Sequence, residues 1–348
     1  MILLSGFSAG AAAAQKAPIE PSFSVIVNHE LVRGGWWNDE AYKKNPEPFI
    51  DYFVEKTVRE TEIKPNNGTV VFCPDNVEKF TVIGQKEGRK INAKSLKNGV
   101  KNALLRGKNT VLEPKIDTIL PISEAKMIEK IGLRGGYTTY FESNPNRENN
   151  IALALSKFNG LCVGKGQTIS FNSVVGKRTL ERGFEEAKII LDGEFVPGVG
   201  GGVCQASTTL FNALLLAGLK IDKSQNHSLL VSYVPIGRDA MVSSSNDLRF
   251  TNNTGGTIYI EAGTTDATED EHGCAWVKIY GDKTHIKYKP RVEVTEMELN
   301  EGEIDPARKS ITYLDCFNGE EIVHSKIIRK SNYQAVKEKP KPKPEKLA

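Results

Sequence analysis

Cys204, His227 and Asp239 have the residue types and the order of a thiol catalyst. Cys204 stands in the densest passage of the chain, Gly198–Leu219 (GVGGGVCQASTTLFNALLLAGL). There Val203, Ala206, Leu210, Leu214 and Ala217 recur at three- and four-residue steps, which predicts a helix with a buried stripe closed by Gly218. Cys204 then lies in the first helical turn, where free N–H groups and the positive dipole end favour a thiolate over a thiol. Asn226-His227-Ser228 heads the predicted strand Leu229–Val234 (LLVSYV). After the turn Pro235–Arg238, Asp239 opens a second predicted strand, Ala240–Val242. Thiol hydrolases and acyltransferases need this set: a nucleophile, an imidazole that activates it and returns the proton, and a carboxylate that orients the imidazole. Gln205, or backbone N–H groups near Gly202–Cys204, are the candidate oxyanion donors.

The helix also carries a polar stripe, Gln205, Thr208, Thr209 and Asn212, and is preceded by Gly200, Gly201 and Gly202. Glycine admits backbone conformations closed to other residues and lets a partner approach closely. These seven residues are therefore the expected substrate-binding set. A second reading stays open on spacing alone: Cys204 as packing, His227 as a capped surface residue, and Asp239 as a turn residue bonding its own backbone. In that case the glycine loop and polar stripe line a ligand groove in a non-catalytic binding or scaffolding protein.

The remaining cysteines argue against a metal or a complete disulfide framework. The five cysteines are Cys73, Cys162, Cys204, Cys274 and Cys316, an odd count without C-x-x-C spacing. The five histidines, His29, His227, His272, His285 and His324, do not cluster with them as zinc ligands would, so no metal and no cofactor is expected. Cys73 and Cys162 sit in apolar runs (VVFCP, NGLCVG) and read as small buried hydrophobes. Cys274 and Cys316 lie in neighbouring strand-like segments and could pair in an oxidising compartment.

The elements that must position the trio read as α+β. The 348 residues call for two or three compact units. A hydrophobic fraction of 39% and a charged fraction of 26% exclude a polytopic membrane protein, a coiled coil and a disordered chain. Lys+Arg 46 against Asp+Glu 43 leaves +3, too little field to argue for nucleic acid. Before Pro121, helical spacing at Asp51–Thr61 and Asn92–Arg106 alternates with short strand runs at Thr69–Cys73 and Lys79–Ile83. Asn92 or Ser95 is available as a cap. Pro114 and Pro121 punctuate an extended stretch, a seam between domains that a protease would cut within Pro114–Tyr137. A helix is expected over Asn150–Phe158, a hairpin at Asp192-Gly193, and after residue 240 almost only strand: Gly256–Glu261, Ala275–Tyr280, Thr284–Val294, and a hairpin turning at Asn318-Gly319. Lys337–Lys346 (KEKPKPKPEK) reads as a solvated spacer.

Met1–Ala14 (MILLSGFSAGAAAA) is apolar, with an Ala-x-Ala pattern at Ala12–Ala14. It is short of the roughly 20 apolar residues that span a bilayer. It reads as the latter half of a secretory signal or anchor lacking its basic n-region, or else as a flexible tail.

Residues Phe171–Asp239 resemble the VanW family, named after an accessory protein of vancomycin-resistance clusters. The resemblance is carried by FNSVVGKRT (Phe171–Thr179), GFEEAKII (Gly183–Ile190), GGGVCQASTTLFNALLLAGL (Gly200–Leu219) and HSLLVSYVPIGRDAMV (His227–Val242). It implies a VanW domain over residues 137–260 and a strand-rich extension over 261–332. Residues 64–121 resemble, less specifically, the peptidoglycan-binding module that often precedes this domain, so 21–121 is the expected wall-binding unit. Residues 1–20 form a truncated signal or tail, and 333–348 a disordered Lys/Pro-rich tail. Family members are typically exported or membrane-anchored in Gram-positive bacteria. The resemblance thus implies an extracytoplasmic, cell-envelope protein whose partner is peptidoglycan or a wall peptide, with membrane contact only through the N-terminal segment. A sequestering role toward glycopeptides is suggested by the family name alone. The passage from Gly202 to Leu219 is also similar to the helix of transglutaminase-like proteins, where His and Asp follow on successive strands. The gap from Cys204 to His227 is shorter than usual there, and no Trp stands beside either residue.

Overall fold

The computed structural model describes residues 22–27, 30–36, 44–106, 110–191, 194–268 and 271–337. The expected signal segment, most of the Lys/Pro tail and the Asp192-Gly193 turn lie outside them. The described residues fall into two units: those up to 69 with those of 82–123, and those of 70–81 with those of 124–337.

In the first unit, β1 (Ser22–Val27) pairs antiparallel with β2 (Glu30–Trp36) and parallel with a later strand. Helix α1 (Glu47–Thr61) buries Ile50, Phe53, Val54 and Thr57. The hairpin of β3 (Thr69–Phe72) and β4 (Phe80–Ile83) follows, and its residues 70–81 belong to the second unit. Next come β5 (Gly88–Ile91) and α2 (Ala93–Arg106), which buries Leu96, Val100 and Ala103 as its spacing predicts. Asn92 is its cap, accepting from Ser95 N at 2.8 Å. Strand β6 (Thr110–Leu112) is the parallel neighbour of β1, and β7 (Ile116–Ile119) pairs antiparallel with β5. Val25, Ile50, Ile91, Leu96 and Val100 form this unit's core.

The second unit opens with α3 (Glu124–Glu129) and β8 (Ile131–Phe141). Strand β8 starts inside the stretch read as a protease-sensitive seam. Its Gly135-Gly136 pair suggests a break, but a Cβ on Gly135 would collide with the backbone of a later helix, 2.7 Å from Leu216 C, and of Ala217 just beyond it. The glycine therefore serves a close strand–helix approach rather than a turn.

Helix α4 (Pro145–Ser156), capped by Asn144, leads to β9 (Leu161–Val163), β10 (Thr168–Ser170) and the short α5 (Phe171–Val175). The hairpin of β11 (Glu186–Leu191) and β12 (Glu194–Val199) delivers the chain to α6 (Val203–Leu216). Then come β13 (Lys220–Lys223), β14 (Arg249–Thr251), β15 (Ile258–Thr265) and β16 (Gly273–Asp282). The four-stranded sheet β8-β16-β15-β9 packs against α6 and α4. Phe158, Phe171, Leu210, Phe211, Leu214, Ile260 and Val277 fill the space between. The expected domain end at residue 260 falls inside β15, so the sheet does not stop there.

The strand-rich remainder holds β17 (Ile286–Glu296), β18 (Glu303–Asp305), β19 (Arg308–Asn318), β20 (Glu321–Tyr333) and β21 (Val336–Lys337). Strands β17, β19 and β20 form an antiparallel sheet, with Gly319 at φ +65° in the turn between β19 and β20. The expected tail does not begin at residue 333, because Tyr333 is buried and β21 pairs with β18. The architecture is α+β. Among the described residues no helix is long and apolar enough to cross a membrane.

Two cysteine expectations change. Cys162 is exposed rather than buried, and Cys274 and Cys316 are free, since β16 and β19 belong to different sheets.

Candidate functional site

Helix α6 forms where its pattern places it, and it is buried almost all round. Every residue from Val203 to Leu215 except Cys204 is inaccessible. Gly202 caps it at φ +110°, a conformation that a side chain would strain, and a Cβ there would press on Arg147 and Ile151 at 3.0 Å. Gly201 backs onto the β11 backbone, with a Cβ falling 2.6 Å from Ala187 C. The close approach that the glycines permit is thus made first by the chain itself.

The polar stripe has a different task from the expected one. Thr208, Thr209 and Asn212 are fully buried and do not line the cleft described below. Thr208 and Asn212 serve the irregular segment 226–248, which contains neither predicted strand. Asn212 Nδ2 donates to Arg238 O at 2.8 Å and its Oδ1 accepts from Arg238 Nε at 2.8 Å. Ala240 N donates to Thr208 Oγ1 at 2.9 Å, and Ser207 Oγ donates to Ala240 O at 2.5 Å. One turn further along, Cys204 Sγ lies 3.5 Å from Val242 N and 3.3 Å from Val242 O. Residues 238, 240 and 242 therefore dock on 212, 208 and 204. Two extended residues advance roughly 6.6 Å and one helical turn about 5.4 Å, close enough for the two to stay in register over this length. An extended segment whose N–H and C=O groups bond a helix's side chains has none left for a sheet ladder. Thr209 hydrogen-bonds Thr139 of β8 at 2.8 Å and Gln205 O at 2.8 Å.

Docking 238 and 240 on the helix turns Asp239 the other way, toward His227. Asp239 Oδ2 accepts from both His227 N and His227 Nδ1, each at 2.7 Å. Its Oδ1 accepts from Tyr333 OH at 2.7 Å and from Arg329 Nη2 at 3.4 Å. Arg329 Nη2 also donates to Asp239 O at 2.7 Å, and Tyr333 OH accepts from Gly237 N at 2.9 Å. With Nδ1 held by the carboxylate, the other ring nitrogen of His227 is the one left for Cys204, which lines the same cleft and whose thiol and the imidazole shift each other's titration. The structure thus brings Cys204, His227 and Asp239 into one chain of contacts.

Electrostatics follow from that chain. Burial drives the Cys204 thiol up, but the hydrogen bond and charge of His227, the Val242 N–H and the Arg178 charge outweigh it and leave the thiol below its ordinary value. Burial drives His227 down, but the bond to Asp239 and the bond and charge of Cys204 lift it to about 9. Asp239 is raised by burial and lowered more by His227, Arg329 and Tyr333, so it stays ionised. The two shifts favour a thiolate–imidazolium pair oriented by a carboxylate.

The pair opens into a cleft of ≈ 1780 Å³ whose lining includes Cys204, His227, Gly200, Gly201, Gly202, Gln205, Tyr233 and Ser243. Gln205 is not a free oxyanion donor. Its Nε2 donates to Tyr140 O at 2.9 Å and Thr139 Oγ1 at 3.1 Å, while its Oε1 accepts from Arg147 at 2.7 Å. At the helix start Val203 N and Gln205 N bond Gly200 O and Gly202 O. That leaves the N–H groups of Gly202 and Cys204 as the candidate donors at the nucleophile. Among the described residues no group of three or more His, Cys, Asp or Glu could hold a metal ion.

Arg147, Arg178, Arg329 and Tyr333 complete the site and escaped the sequence reading. Arg329 and Tyr333 come from β20, where the alternation 329, 331, 333 turns polar side chains inward. Polar residues at every second position of a strand are the signal that could have pointed to them.

A buried Cys-His-Asp chain in an α+β domain, opening on a cleft, defines a thiol-centre class of domain. Residues 146–270 match the family described as VanW like protein, and Cys204, His227 and Asp239 fall within the match. It is 42% identical over 161 residues to YoaR of Bacillus subtilis (strain 168), 45% of this chain and 53% of that protein. It is 30% identical over 121 residues to the vancomycin B-type resistance protein VanW of Enterococcus faecalis (strain ATCC 700802 / V583), 33% of this chain and 44% of that protein. The chain spans about half the length of the curated relatives it matches. No solved structure matches it.

Proposed function

We propose that the VanW domain is a thiol hydrolase or acyltransferase acting on an amide or ester of the cell envelope, with peptidoglycan or a wall peptide as substrate. The observation that carries the reading is the Cys204–His227–Asp239 chain, opening into a cleft while Asp239 is fixed by four donors. The Cys204 thiolate attacks the carbonyl carbon, and the oxyanion forms beside the Cys204 N–H. Imidazolium His227 gives its proton to the departing amine or alcohol, leaving a thioester on Cys204. Water, or an acceptor amine, then attacks the thioester; His227 takes the proton and Cys204 leaves as thiolate. Asp239 keeps the ring oriented and its positive charge favoured throughout.

The envelope assignment draws on the match to the VanW family and on the Enterococcus relative, a vancomycin B-type resistance protein. With it go an extracytoplasmic location and a wall-binding task for residues 21–121. The rival reading, a ligand groove lined by the glycine loop and the polar stripe, keeps Gly200, Gly201, Gly202 and Gln205 in the cleft but loses Thr208 and Asn212, buried against residues 238–240, and Thr209, buried against β8.

The test is acyl trapping. The protein is incubated with soluble wall peptides released from purified sacculi and its mass is read intact. The expected result is a peptide-sized adduct mapping to Cys204 and absent from Cys204→Ser. Wall peptides that leave Cys204 unmodified and emerge unchanged would overturn the proposal.

A further inference from the structure

The cleft around the thiolate is charged on one side only. Its lining contains Arg147, Lys177, Arg178, Arg182 and Lys188, against a single carboxylate, Glu142. The three arginines spend their side-chain hydrogen bonds on neutral oxygens. Arg147 donates to Gln205 Oε1 at 2.7 Å, Arg178 to Asn172 Oδ1 at 2.5 Å, and Arg182 to Val175 O at 2.9 Å. The carboxylate that acts on Arg178 is Asp247, but its oxygens already accept from Ser170 Oγ, Asn172 N and Arg249 Nε.

Arg147 and Arg178 are half-buried, and burial alone pulls both guanidiniums below their ordinary values. A partly desolvated cation without its own carboxylate costs folding free energy that an incoming anion can restore. Both stand at the nucleophile. Arg178 packs its stem 3.1 Å from where a Gly200 Cβ would sit, and Arg147 lies 5.9 Å over the Tyr233 ring. Guanidinium groups held by neutral amides keep further N–H donors for a bidentate oxyanion.

The geometry points to an anionic substrate: the group that reacts at Cys204 carries a carboxylate or phosphate next to the reacting carbonyl, and Arg178 and Arg147 hold it. This rests on Cys204 being the nucleophile, and the test separates the two claims. Cys204 is alkylated with iodoacetate, an anion, and with iodoacetamide, its neutral counterpart. Rates are read by mass spectrometry of the Cys204 peptide and divided by the rates for N-acetylcysteine. Any change in thiolate fraction acts on both reagents and cancels in the ratio.

The expected normalised ratio favours iodoacetate by roughly tenfold or more, the size of one charge-assisted hydrogen bond. Arg178→Gln should bring it toward one. N-acetylalanine or inorganic phosphate should protect Cys204 where N-acetylalaninamide does not, and which of the two protects better identifies the anion. A wild-type ratio near one, with Cys204 reactive toward iodoacetamide, would overturn the inference and leave the nucleophile standing. Indifference to both reagents would remove the nucleophile and this inference together.

Discussion

Thr208→Val asks whether the polar stripe of α6 is architecture. Thr208 is fully buried, and its Oγ1 is the acceptor for Ala240 N at 2.9 Å. Valine keeps the shape and the β-branch, so it opens no cavity and leaves the helix rotamer unchanged. It strands the Ala240 N–H in a buried site, which costs about 1–3 kcal/mol. Taking about 2 kcal/mol, the melting temperature of a unit of this size should fall by about 4–8 °C. Because Ala240 and Val242 are consecutive docking points on the helix, the same change should slow iodoacetamide at Cys204 near neutral pH. The assay is urea unfolding followed by tryptophan fluorescence, with alkylation of the folded protein alongside. A loss of stability within about 0.5 kcal/mol of zero, typical of an unconstrained surface site, would refute the docking account.

Further outcomes follow from the same contacts. Asp239→Asn removes the charge that holds His227 near 9, so the pH at which imidazolium is lost should move down, read by the 1H–15N signals of the ring. Tyr333→Phe leaves Gly237 N without its acceptor and Asp239 with one donor fewer; it should cost about 1–3 kcal/mol and slow Cys204 together, whereas unchanged stability would detach β20 from the site. Gly202→Ala should cost about 1–2 kcal/mol for the left-handed backbone, plus the contact with Arg147, visible as a lowered melting temperature. Proteolysis should cut at residues 120–123, which lie between elements and expose Leu120 and Ile122. The two fragments should stay together on native gel filtration, because residues 70–81 belong to the second unit: Lys79 pairs with Glu261 at 2.6 Å and the Phe72 ring lies 5.5 Å from Tyr259. Fragments that separate without denaturant would contradict that.

Where the chain speaks locally, the sequence was legible. The stripe of α6, its closing glycine and the placement of Cys204 in the first turn all come from three- and four-residue spacing, and the structure has them. The α+β class follows from helical patterns early and alternation late. What stayed hidden depends on partners remote in sequence. LLVSYV alternates like a strand, yet its segment forms no ladder, and the chain beyond it is held by side chains of α6. Strand β8 was masked by two glycines, of which Gly135 exists for the approach of α6. Arg329 and Tyr333 lie about ninety residues beyond Asp239, so no spacing rule links them to it. Cys162 sits in an apolar run but is exposed, because burial is set by which face of β9 is covered.

The central claim is that Cys204 and His227 rest as a thiolate–imidazolium pair. The most direct measurement is the rate of iodoacetamide alkylation at the Cys204 peptide against pH, for the wild type and His227→Ala. Both shifts run the same way: Cys204 titrates below its ordinary value, so its thiolate forms at lower pH than that of a free thiol, and His227 holds its proton until about 9. The account predicts fast alkylation well below neutrality with a second inflection near 9, and a single transition moved to higher pH in His227→Ala. Alkylation that stays slow until alkaline pH and is indifferent to His227 would contradict it.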